Sequence, residues 1–417
     1  MSRVDELLRI LAPSGVEFKP LGDVGTFVRG NGLQKVDLRT EGSPAIHYGQ
    51  VHTYYGTWAD ATKSFVDPIL AARLRRAKPG DLIVATTSED VAAVAKATAW
   101  LGSGEVAISG DAYVYSHTLD PRYVSYFFQS QQFQDQKKRR VTGTKVRRIS
   151  GDALARIVIP VPPLDVQREI AKILDELDSN VSFLTTATGE ELAARRDQYA
   201  YYSDLLLTGL HTDDESWTTL GELYTSSSGL SKSADQFGFG HPFLSFKTVF
   251  RNAVVPTELT DLVNSTEVEQ ARFSIKAGDV FVTRTSEDLE GLGTSCAALR
   301  DYPRATFNGF TKRLRPKEAS VVDPQFAAYF FRSSLFRSQI SRMAILSTRV
   351  SLNNDILRRV RMPLPLIEEQ RRVVAKLVEL DTLSSELAVQ IRAEVTARRD
   401  QLTYYRDSLF KFEELAS

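Results

Sequence analysis

The sequence predicts an α+β protein in which two mixed α/β domains are separated by two long helices that pair as an antiparallel coiled coil. The two halves form an internal tandem repeat, which predicts pseudo-two-fold symmetry. Three observations support this prediction. A proline-rich segment occurs twice, a long helical pattern without interior proline follows each copy, and mixed strand-like and helix-like runs precede each copy. With 417 residues the chain also exceeds a single domain of about 150 residues, so more than one core is expected.

The repeat is clearest around the proline-rich segment. The sequence PVPPLDVQREIAKILDELD, which starts at Pro160, returns as PLPLIEEQRRVVAKLVELD from Pro363, 203 positions later. Upstream, GDLIVATTSED from Gly80 returns as GDVFVTRTSED from Gly278. A duplication of about 200 residues is too long for a solenoid repeat, so it predicts two similar domains, each followed by a similar connector. The predicted regions are an N-terminal conserved segment at residues 1–19, domains at residues 20–155 and 218–357, a central connector at residues 156–217 and a C-terminal connector at residues 358–417.

Both connectors have the pattern of a long helix. Apolar residues alternate at spacings of four and three, as in a coiled-coil seam. They are Ile170, Leu174, Leu177, Val181 and Leu184 in the first connector, and they begin with Val373, Leu377 and Leu380 in the second. The pattern breaks around Gly189 and then resumes. Each helix should span about 40 residues, or roughly 60 Å. Pairing of the two helices is preferred over the alternative that each packs separately on its own domain.

The two domains combine strand and helix patterns. The runs Leu82 to Val84 and Val280 to Val282 are typical of buried strands. Residues 123–133 and 326–336 have the spacing of amphipathic helices with aromatic inner faces. An α+β architecture follows for each domain.

A Thr-Ser-Glu-Asp tetrapeptide follows the predicted strand in both copies. One interpretation is a helix N-cap, in which the hydroxyl caps and the acids occupy the first turn. The other is contact with DNA bases, since a carboxylate accepts a hydrogen bond from cytosine N4 and arginine commonly contacts guanine. The candidates for base contact are Ser88, Glu89, Arg284, Ser286 and Glu287.

The strongest charge feature is a basic segment at residues 137–148, which contains seven basic residues and no acid. Its weaker counterpart occupies the same place in the second copy. This recurrence favours contact with phosphates over a merely solvated charged face. The candidates are Lys137, Lys138, Arg139, Arg140, Lys145, Arg147 and Arg148 in the first copy, and Arg342 and Arg349 in the second.

Catalysis finds little support in the sequence. We find no phosphate-binding loop of the Walker type, no aromatic tetrapeptide of the amino-methyltransferases and no metal-ligand spacing among the five histidines. The single cysteine, Cys296, fits a reducing cytosol, and no apolar run is long enough for a membrane span. We therefore expect a cytoplasmic protein with no membrane contact. The formal charge of zero, from 52 basic and 52 acidic residues, argues mildly against nucleic acid when taken alone.

The doubled Pro-x-Pro segment with its Gln-Arg pair, the RRDQ and YY motifs near each helix end, and the Leu-Gly entry into each domain resemble the specificity subunits of Type I restriction-modification systems. The resemblance covers essentially the whole chain. It implies two target-recognition domains, each of which binds one half of an interrupted, asymmetric DNA site, with the helix pair setting the spacer. It also implies that Gln167, Arg168, Gln370 and Arg371 face subunit contacts, although bracing of the helix start is an equal alternative.

The same resemblance supplies the expected partners. They are double-stranded DNA, two methyltransferase subunits and two restriction subunits. No catalytic residue, metal or cofactor is expected in this chain, and S-adenosylmethionine, ATP and magnesium are expected on the partner subunits. Two rival hypotheses remain: a coiled-coil interaction scaffold without a DNA role, and an unrecognised nuclease or methyltransferase.

Overall fold

The computed structural model describes residues 3–209, 217–286, 291–343 and 350–415, and it divides into two compact units. Unit 1 comprises Met1–Thr188 together with Arg392–Ser417, and unit 2 comprises Gly189–Ile391. Each unit thus contains one mixed α/β domain, the first part of the long helix that follows it and the last part of the other long helix. The fold class that the repeat predicts is confirmed.

Unit 1 is built around a five-stranded and a four-stranded sheet. Its helices are α1 (Arg3–Leu11), α2 (Leu21–Val24), α3 (Tyr48–Thr53), α4 (Pro68–Ala71), α5 (Pro121–Gln129), α6 (Gln131–Lys138), α7 (Gly151–Ala155) and the start of α8 (Leu164–Thr208). Its strands are β1 (Glu17–Pro20), β2 (Gly25–Arg29), β3 (Ser43–Ile46), β4 (Trp58–Ala59), β5 (Ser64–Val66), β6 (Arg76–Ala77), β7 (Leu82–Ala85), β8 (Thr87–Ser88), β9 (Ala97–Trp100), β10 (Val106–Ile108), β11 (Ala112–His117), β12 (Arg147–Arg148) and β13 (Val158–Val161). The sheet orders are β2-β11-β7-β9-β4 and β5-β3-β10-β6, and β1 pairs with β13 and β12 with β8.

Unit 2 repeats this plan with smaller sheets. Its helices are α9 (Leu220–Leu223), α10 (Phe246–Arg251), α11 (Glu267–Arg272), α12 (Pro324–Arg332), α13 (Ser334–Met343), α14 (Asn354–Arg359) and the start of α15 (Ile367–Leu409). Its strands are β14 (Trp217–Thr219), β15 (Tyr224–Ser228), β16 (Phe237–Leu244), β17 (Leu262–Val263), β18 (Val280–Thr283), β19 (Thr285–Ser286), β20 (Ser295–Ala297), β21 (Thr306–Phe307), β22 (Thr311–Pro316), β23 (Val350–Ser351) and β24 (Arg361–Pro363). The sheet orders are β15-β22-β18-β20 and β17-β16-β21, and β14 pairs with β24 and β19 with β23.

The aromatic helix of each domain begins with the same cap. The carboxylate of Asp120 accepts hydrogen bonds from the backbone N–H groups of Arg122 and Tyr123, and Pro121 occupies the first helical turn. Asp323 caps α12 in the same way. The sequence predicted one helix at residues 123–133, but the first helix ends at Gln129. The hydroxyl of Ser130 then caps a second helix, α6. The apolar spacing alone did not reveal this break.

The long helices are continuous, as predicted, and slightly longer than the expected 40 residues or so. α8 spans 45 residues and α15 spans 43, or roughly 65 Å each at 1.5 Å per residue. Gly189 lies inside α8 and does not interrupt it, and no atom lies within 4 Å of the position a Cβ would take there. The apolar spacing breaks around Gly189, but the helix continues, because an exposed glycine costs a helix only about 1 kcal/mol.

The two long helices run antiparallel within each unit. In unit 1 the guanidinium of Arg399 lies 3.5 Å from the hydroxyl of Thr185, and one or two turns away Arg406 interacts with Asp178. In unit 2 Leu206 and Leu207, near the end of α8, pack with Val373 and neighbouring residues near the start of α15. The pairing that the apolar spacing predicted is present in both units.

Each domain is fastened to the ends of both helices. Asp407, at the end of α15, accepts a hydrogen bond at 3.0 Å from the N–H of Gln131 in unit 1. Asp204, at the equivalent place in α8, accepts one at 3.0 Å from the N–H of Ser334 in unit 2. Since the same bond recurs 203 positions apart, both copies use the same attachment.

Candidate nucleic-acid interface

The basic segment and the tetrapeptide, which are far apart in the sequence, meet in unit 1. β12 pairs antiparallel with β8, so that Arg147 lies opposite Ser88 and Arg148 opposite Thr87. A bridge between Thr142 and Arg148 folds the segment into a hairpin. We call β8 and residues 142–148 together the strand-end hairpin. It brings the exposed cations beside the end of the central strand β7.

Glycine is required at the bend of this hairpin. Gly143 has a φ of +90°, and a Cβ at this position would lie 2.1 Å from the carbonyl oxygen of Val146. The Gly-Thr pair that interrupts the basic residues in the sequence therefore sets the shape of the basic surface.

The same pairing occurs in unit 2. β23 pairs antiparallel with β19, and Thr285 lies opposite Ser351. The intervening residues 287–290 and 344–349 lie outside the described residues, as do the side chains of residues 285, 286, 350 and 351. The candidates Glu287 and Arg349, and the side chain of Ser286, are thus not described.

The tetrapeptide of unit 1 is not a helix cap. Residues after Ser88 form a turn, in which the hydroxyl of Ser88 accepts from the N–H of Asp90 and the carboxylate of Asp90 accepts from the N–H of Ala92. The N-cap interpretation is therefore wrong for this copy. Ser88 is half-buried, whereas Glu89 is exposed at the surface beside the hairpin.

The prediction that Lys137 contacts a phosphate is wrong. Its side chain is 0% exposed, and its ammonium donates to the carbonyl oxygens of Ala92 and Val94 at 2.9 and 3.0 Å. Burial lowers the pKa of Lys137 to about 8. A fully buried ammonium presents no surface to DNA, so Lys137 instead holds the turn that follows the tetrapeptide.

The other basic candidates of unit 1 are at least partly accessible. Lys138, Arg139, Lys145 and Arg148 are exposed. Arg140 and Arg147 are half-buried and donate to the backbone carbonyls of Gln136 and Gly143, which fixes the direction of each guanidinium. The hairpin thus presents a cluster of cations on a backbone that is held by hydrogen bonds.

The candidates of unit 2 occupy corresponding places. Arg284 is half-buried directly after β18, where its N–H donates to the carbonyl oxygen of Phe310 at 3.0 Å. Its own carbonyl accepts from Leu352, the residue after β23. Arg342 is exposed in the last turn of α13. Sequence reasoning missed Phe310 because only the strand register places it beside Arg284.

The two glutamines at the helix starts are buried, which contradicts their assignment to subunit contacts. Gln167 is 2% exposed, accepts from the N–H of Asp120 at 2.9 Å and donates to the carbonyl of Pro162 at 2.7 Å. Gln370 is 0% exposed and makes the same two bonds with Asp323 and Pro365. Both glutamines join the cap of the aromatic helix to the start of a long helix.

The neighbouring arginines differ from the glutamines. Arg168 and Arg371 are exposed, and each forms an ion pair at 3.5 Å with an acid three residues earlier, Asp165 and Glu368. Such exposed pairs contribute at most about 1 kcal/mol, so they leave both arginines available to a partner.

No group of three or more acidic, histidine or cysteine side chains is arranged to hold a metal within the described parts of the chain. Cys296 is buried, and burial raises the pKa of its thiol to about 12, so it is a poor nucleophile. In the same described residues, no helix combines the length and apolarity that crossing a membrane requires.

Comparison with known proteins shows the family of the chain. The model of the Type I restriction modification DNA specificity domain matches residues 13–193 and again residues 216–397. The specificity subunit of the Type I restriction enzyme EcoR124I/EcoR124II of Escherichia coli is 30% identical over 274 residues, which cover 63% of this chain and 65% of that protein. The EcoKI specificity subunit of Escherichia coli is 22% identical over 94% of this chain and 87% of its own length.

Solved structures agree at the level of the fold. A chain from a study of assembly and conformational transition in the type I R-M system matches with a TM-score of 0.73 and 19% identity, covering 96% of this chain and 98% of that one. The HsdS subunit from Thermoanaerobacter tengcongensis matches with a TM-score of 0.55 and 18% identity, covering 96% and 97%. With two matches to the family model, one on each half of the repeat, the chain belongs to the Type I restriction-modification DNA specificity domain family.

Proposed function

We propose that this chain is the DNA-recognition subunit of a Type I restriction-modification complex and that it recognises a bipartite, asymmetric target. In this proposal each unit binds one half-site, and the chain itself performs no chemistry. It directs methyltransferase and restriction subunits to the DNA, and the complex acts in the cytoplasm, where the chromosome is found.

The observation that carries the proposal is the recurrence of one strand pairing in both units. In each, a segment from the region before the long helix pairs with the short strand at the end of the central strand, β8 with β12 and β19 with β23. In unit 1 this pairing concentrates exposed cations beside a polar turn. Cations supply phosphate contacts, and polar side chains next to them are suited to contact base edges.

The partners are proposed from the family. Two methyltransferase subunits and two restriction subunits complete the complex, and they carry S-adenosylmethionine, ATP and magnesium. Partners that share the binding of DNA explain how a recognition subunit functions with a formal charge of zero. Arg168 and Arg371, exposed at equivalent positions, are candidates for contact with the methyltransferase subunits.

The long helices provide the spacing. α8 leads from unit 1 into unit 2, and α15 leads from unit 2 back into unit 1. We infer that this pair sets the distance between the half-sites. Lengthening one helix by a few residues at Gly189 should change the spacer but neither half-site, and a changed half-site in the methylated motif would contradict the inference.

A map of methylated bases in the host genome, with this gene intact and deleted, tests the proposal. Loss of one interrupted, two-part motif on deletion is the expected result. If the methylome is unchanged, a salt series of DNA binding by the assembled methyltransferase complex decides, because affinity for DNA falls steeply with salt while a protein-interaction scaffold shows no such affinity. Nuclease activity of the purified chain alone with magnesium, or methyltransferase activity with S-adenosylmethionine, would support the rival hypothesis that the chain is an enzyme.

A further inference from the structure

Four residues of unit 1 lie close together where its central strands end. Arg29 lies opposite Tyr113 in the β2–β11 pairing, and Val84, two residues before Thr86, also lies opposite Tyr113. Thr86 directly follows β7 and Asp111 directly precedes β11, and the hydroxyl of Thr86 donates to the carbonyl of Asp111 at 3.0 Å. The guanidinium of Arg29 lies 3.5 Å from the Asp111 carboxylate, so these residues and Tyr113 cluster at one end of the sheet. We call these four residues the unit 1 quartet.

Unit 2 has a corresponding set. Ser228 lies opposite Lys312 in the β15–β22 pairing, and Val282, two residues before Arg284, also lies opposite Lys312. Arg284, Phe310, Lys312 and Ser228 are the unit 2 quartet.

The backbone is the same at both places. The N–H of Thr86 donates to the carbonyl of Asp111 at 3.0 Å, and the N–H of Arg284 donates to that of Phe310, also at 3.0 Å. Gly30 and Gly229, which follow Arg29 and Ser228, both press against a carbonyl oxygen, so that a Cβ would come within 2.2 Å of it. The quartets thus occupy one structural position.

The side chains at this position are all different. A hydroxyl, a carboxylate, a phenol and a guanidinium in unit 1 become a guanidinium, a phenyl ring, an ammonium and a hydroxyl in unit 2. Retained backbone with fully exchanged side chains is expected where two copies of a domain bind different ligands. A purely structural position would keep similar packing.

Each quartet adjoins the strand-end hairpin or its counterpart. The carbonyl of Thr86 accepts from Ile149, the residue after β12, and the carbonyl of Arg284 accepts from Leu352, the residue after β23. In unit 1 the quartet members Arg29 and Asp111 also line an open cleft of about 540 Å³ together with Lys35, His47 and Tyr48. Arg29 and Asp111 therefore border room for a base edge next to the cations that would hold the DNA backbone, whereas Thr86 is 5% exposed and supports Asp111 from below.

We propose that the quartets are the base-recognising sites that distinguish the two half-sites, with guanine recognised in unit 2 and an exocyclic amino group, that of cytosine, recognised in unit 1. The inference rests on the proposed function. In unit 2, Arg284 donates to O6 and N7 of guanine, and Phe310, which is 59% exposed, makes an apolar contact with the adjacent base. In unit 1 the carboxylate of Asp111 accepts from cytosine N4.

The electrostatics of the two quartets fit opposite ligands. Burial and the neighbouring charge of Arg284 lower the pKa of Lys312, whose ammonium is held at 2.9 Å from the hydroxyl of Ser228 and 2.8 Å from the side-chain oxygen of Asn354. Lys312 is 8% exposed, so it adds positive charge beside Arg284, which alone contacts the two acceptors on the guanine edge. In unit 1, the guanidinium of Arg29 lies 3.5 Å from the carboxylate of Asp111, and both side chains border the cleft, where the carboxylate oxygens are acceptors.

The test uses the chain assembled with its methyltransferase subunits and a pool of DNA duplexes with randomised target positions, sequenced after selection for binding. Arg284→Gln should replace the preference for guanine with a preference for adenine at one position of one half-site, since glutamine contacts adenine N6 and N7. The discrimination at this position should change on the order of 10- to 100-fold. Asp111→Asn should relax one position of the other half-site by a similar factor.

Matched controls lie at the opposite ends of the same strands. Arg300 and Lys78 are exposed, and they lie beside the beginnings of β18 and β7, so Arg300→Gln and Lys78→Gln should leave both half-sites unchanged. If Arg284→Gln prevents assembly, Phe310→Ala provides the same readout through the adjacent base.

Three outcomes separate the inference from the proposed function. A change confined to one position of one half-site supports the quartets. Unchanged preferences, or a uniform loss of affinity for all sequences, would overturn the inference, because the side chains would then contact only phosphates or nothing. A wild-type complex with no bipartite preference would instead refute the proposed function.

Discussion

Replacement of Gln167 by alanine decides between the two roles that the sequence left open for the glutamines. The variant removes the acceptor for the N–H of Asp120 and the donor to the carbonyl of Pro162, at a site that is 2% exposed. An unpartnered buried polar group costs about 1–3 kcal/mol. The variant leaves two such groups without their partner, and because removal of the buried amide offsets part of this cost, we expect the free energy of unfolding of unit 1 to fall by about 2–4 kcal/mol.

Scanning calorimetry of the purified chain measures this effect, with Arg168→Ala as the matched control. Gln167→Ala should lower the transition of unit 1 on the order of 5–15 °C. Arg168→Ala should change stability by less than about 0.5 kcal/mol, since its side chain is exposed. The reasoning is refuted if Gln167→Ala melts like the wild type yet loses affinity for the methyltransferase subunit.

Three further predictions concern buried groups. Lys137→Met should leave the slope of log affinity against log salt unchanged because the ammonium is buried, and a reduced slope would contradict that burial. Lys138→Gln, at an exposed position, should reduce the slope by about 0.9 through the loss of one phosphate contact. Phe410→Ala should destabilise unit 1 by about 3–5 kcal/mol in urea unfolding, because Phe410 is buried against Tyr123, while Tyr404→Ala, at an exposed position, should have little effect. Burial lowers the pKa of His117 to about 4. As the pH falls below 6.5, His117 is therefore protonated in the unfolded chain but stays neutral in the folded chain. The free energy of unfolding should therefore decrease by up to about 3 kcal/mol from pH 7 to pH 4. This decrease should be smaller in a His117→Gln variant, and an unchanged decrease in that variant would rule out His117 as its cause.

Much of the architecture was predictable because its signals are local or periodic. The offset of 203 positions between Gln167 and Gln370 revealed the duplication, and the four-three spacing from Ile170 onward predicted the helices and their pairing. The Asp-Pro pairs at Asp120 and Asp323 mark helix starts, since capping needs only the next three residues. Each of these features can be recognised from a motif, a spacing or a cap that is only a few residues long.

The candidate site was predicted only in part. The tetrapeptide and the basic segment were both identified from composition, yet their pairing through β8 and β12 depends on strands that lie about sixty residues apart. The positions of Asp111 and Phe310 beside Thr86 and Arg284 likewise follow from strand register, which a weak repeat cannot give.

The sequence by itself determined the repeat, the helices and the family resemblance, whereas the tertiary structure decided which polar residues reach the surface. Lys137 and Lys138 are adjacent in a basic run, but one points into the core and donates to Val94 while the other is exposed. Gln167 and Arg168 divide in the same way. The physical reason is that burial is set by neighbours distant along the chain, and a buried polar group must find its partners there.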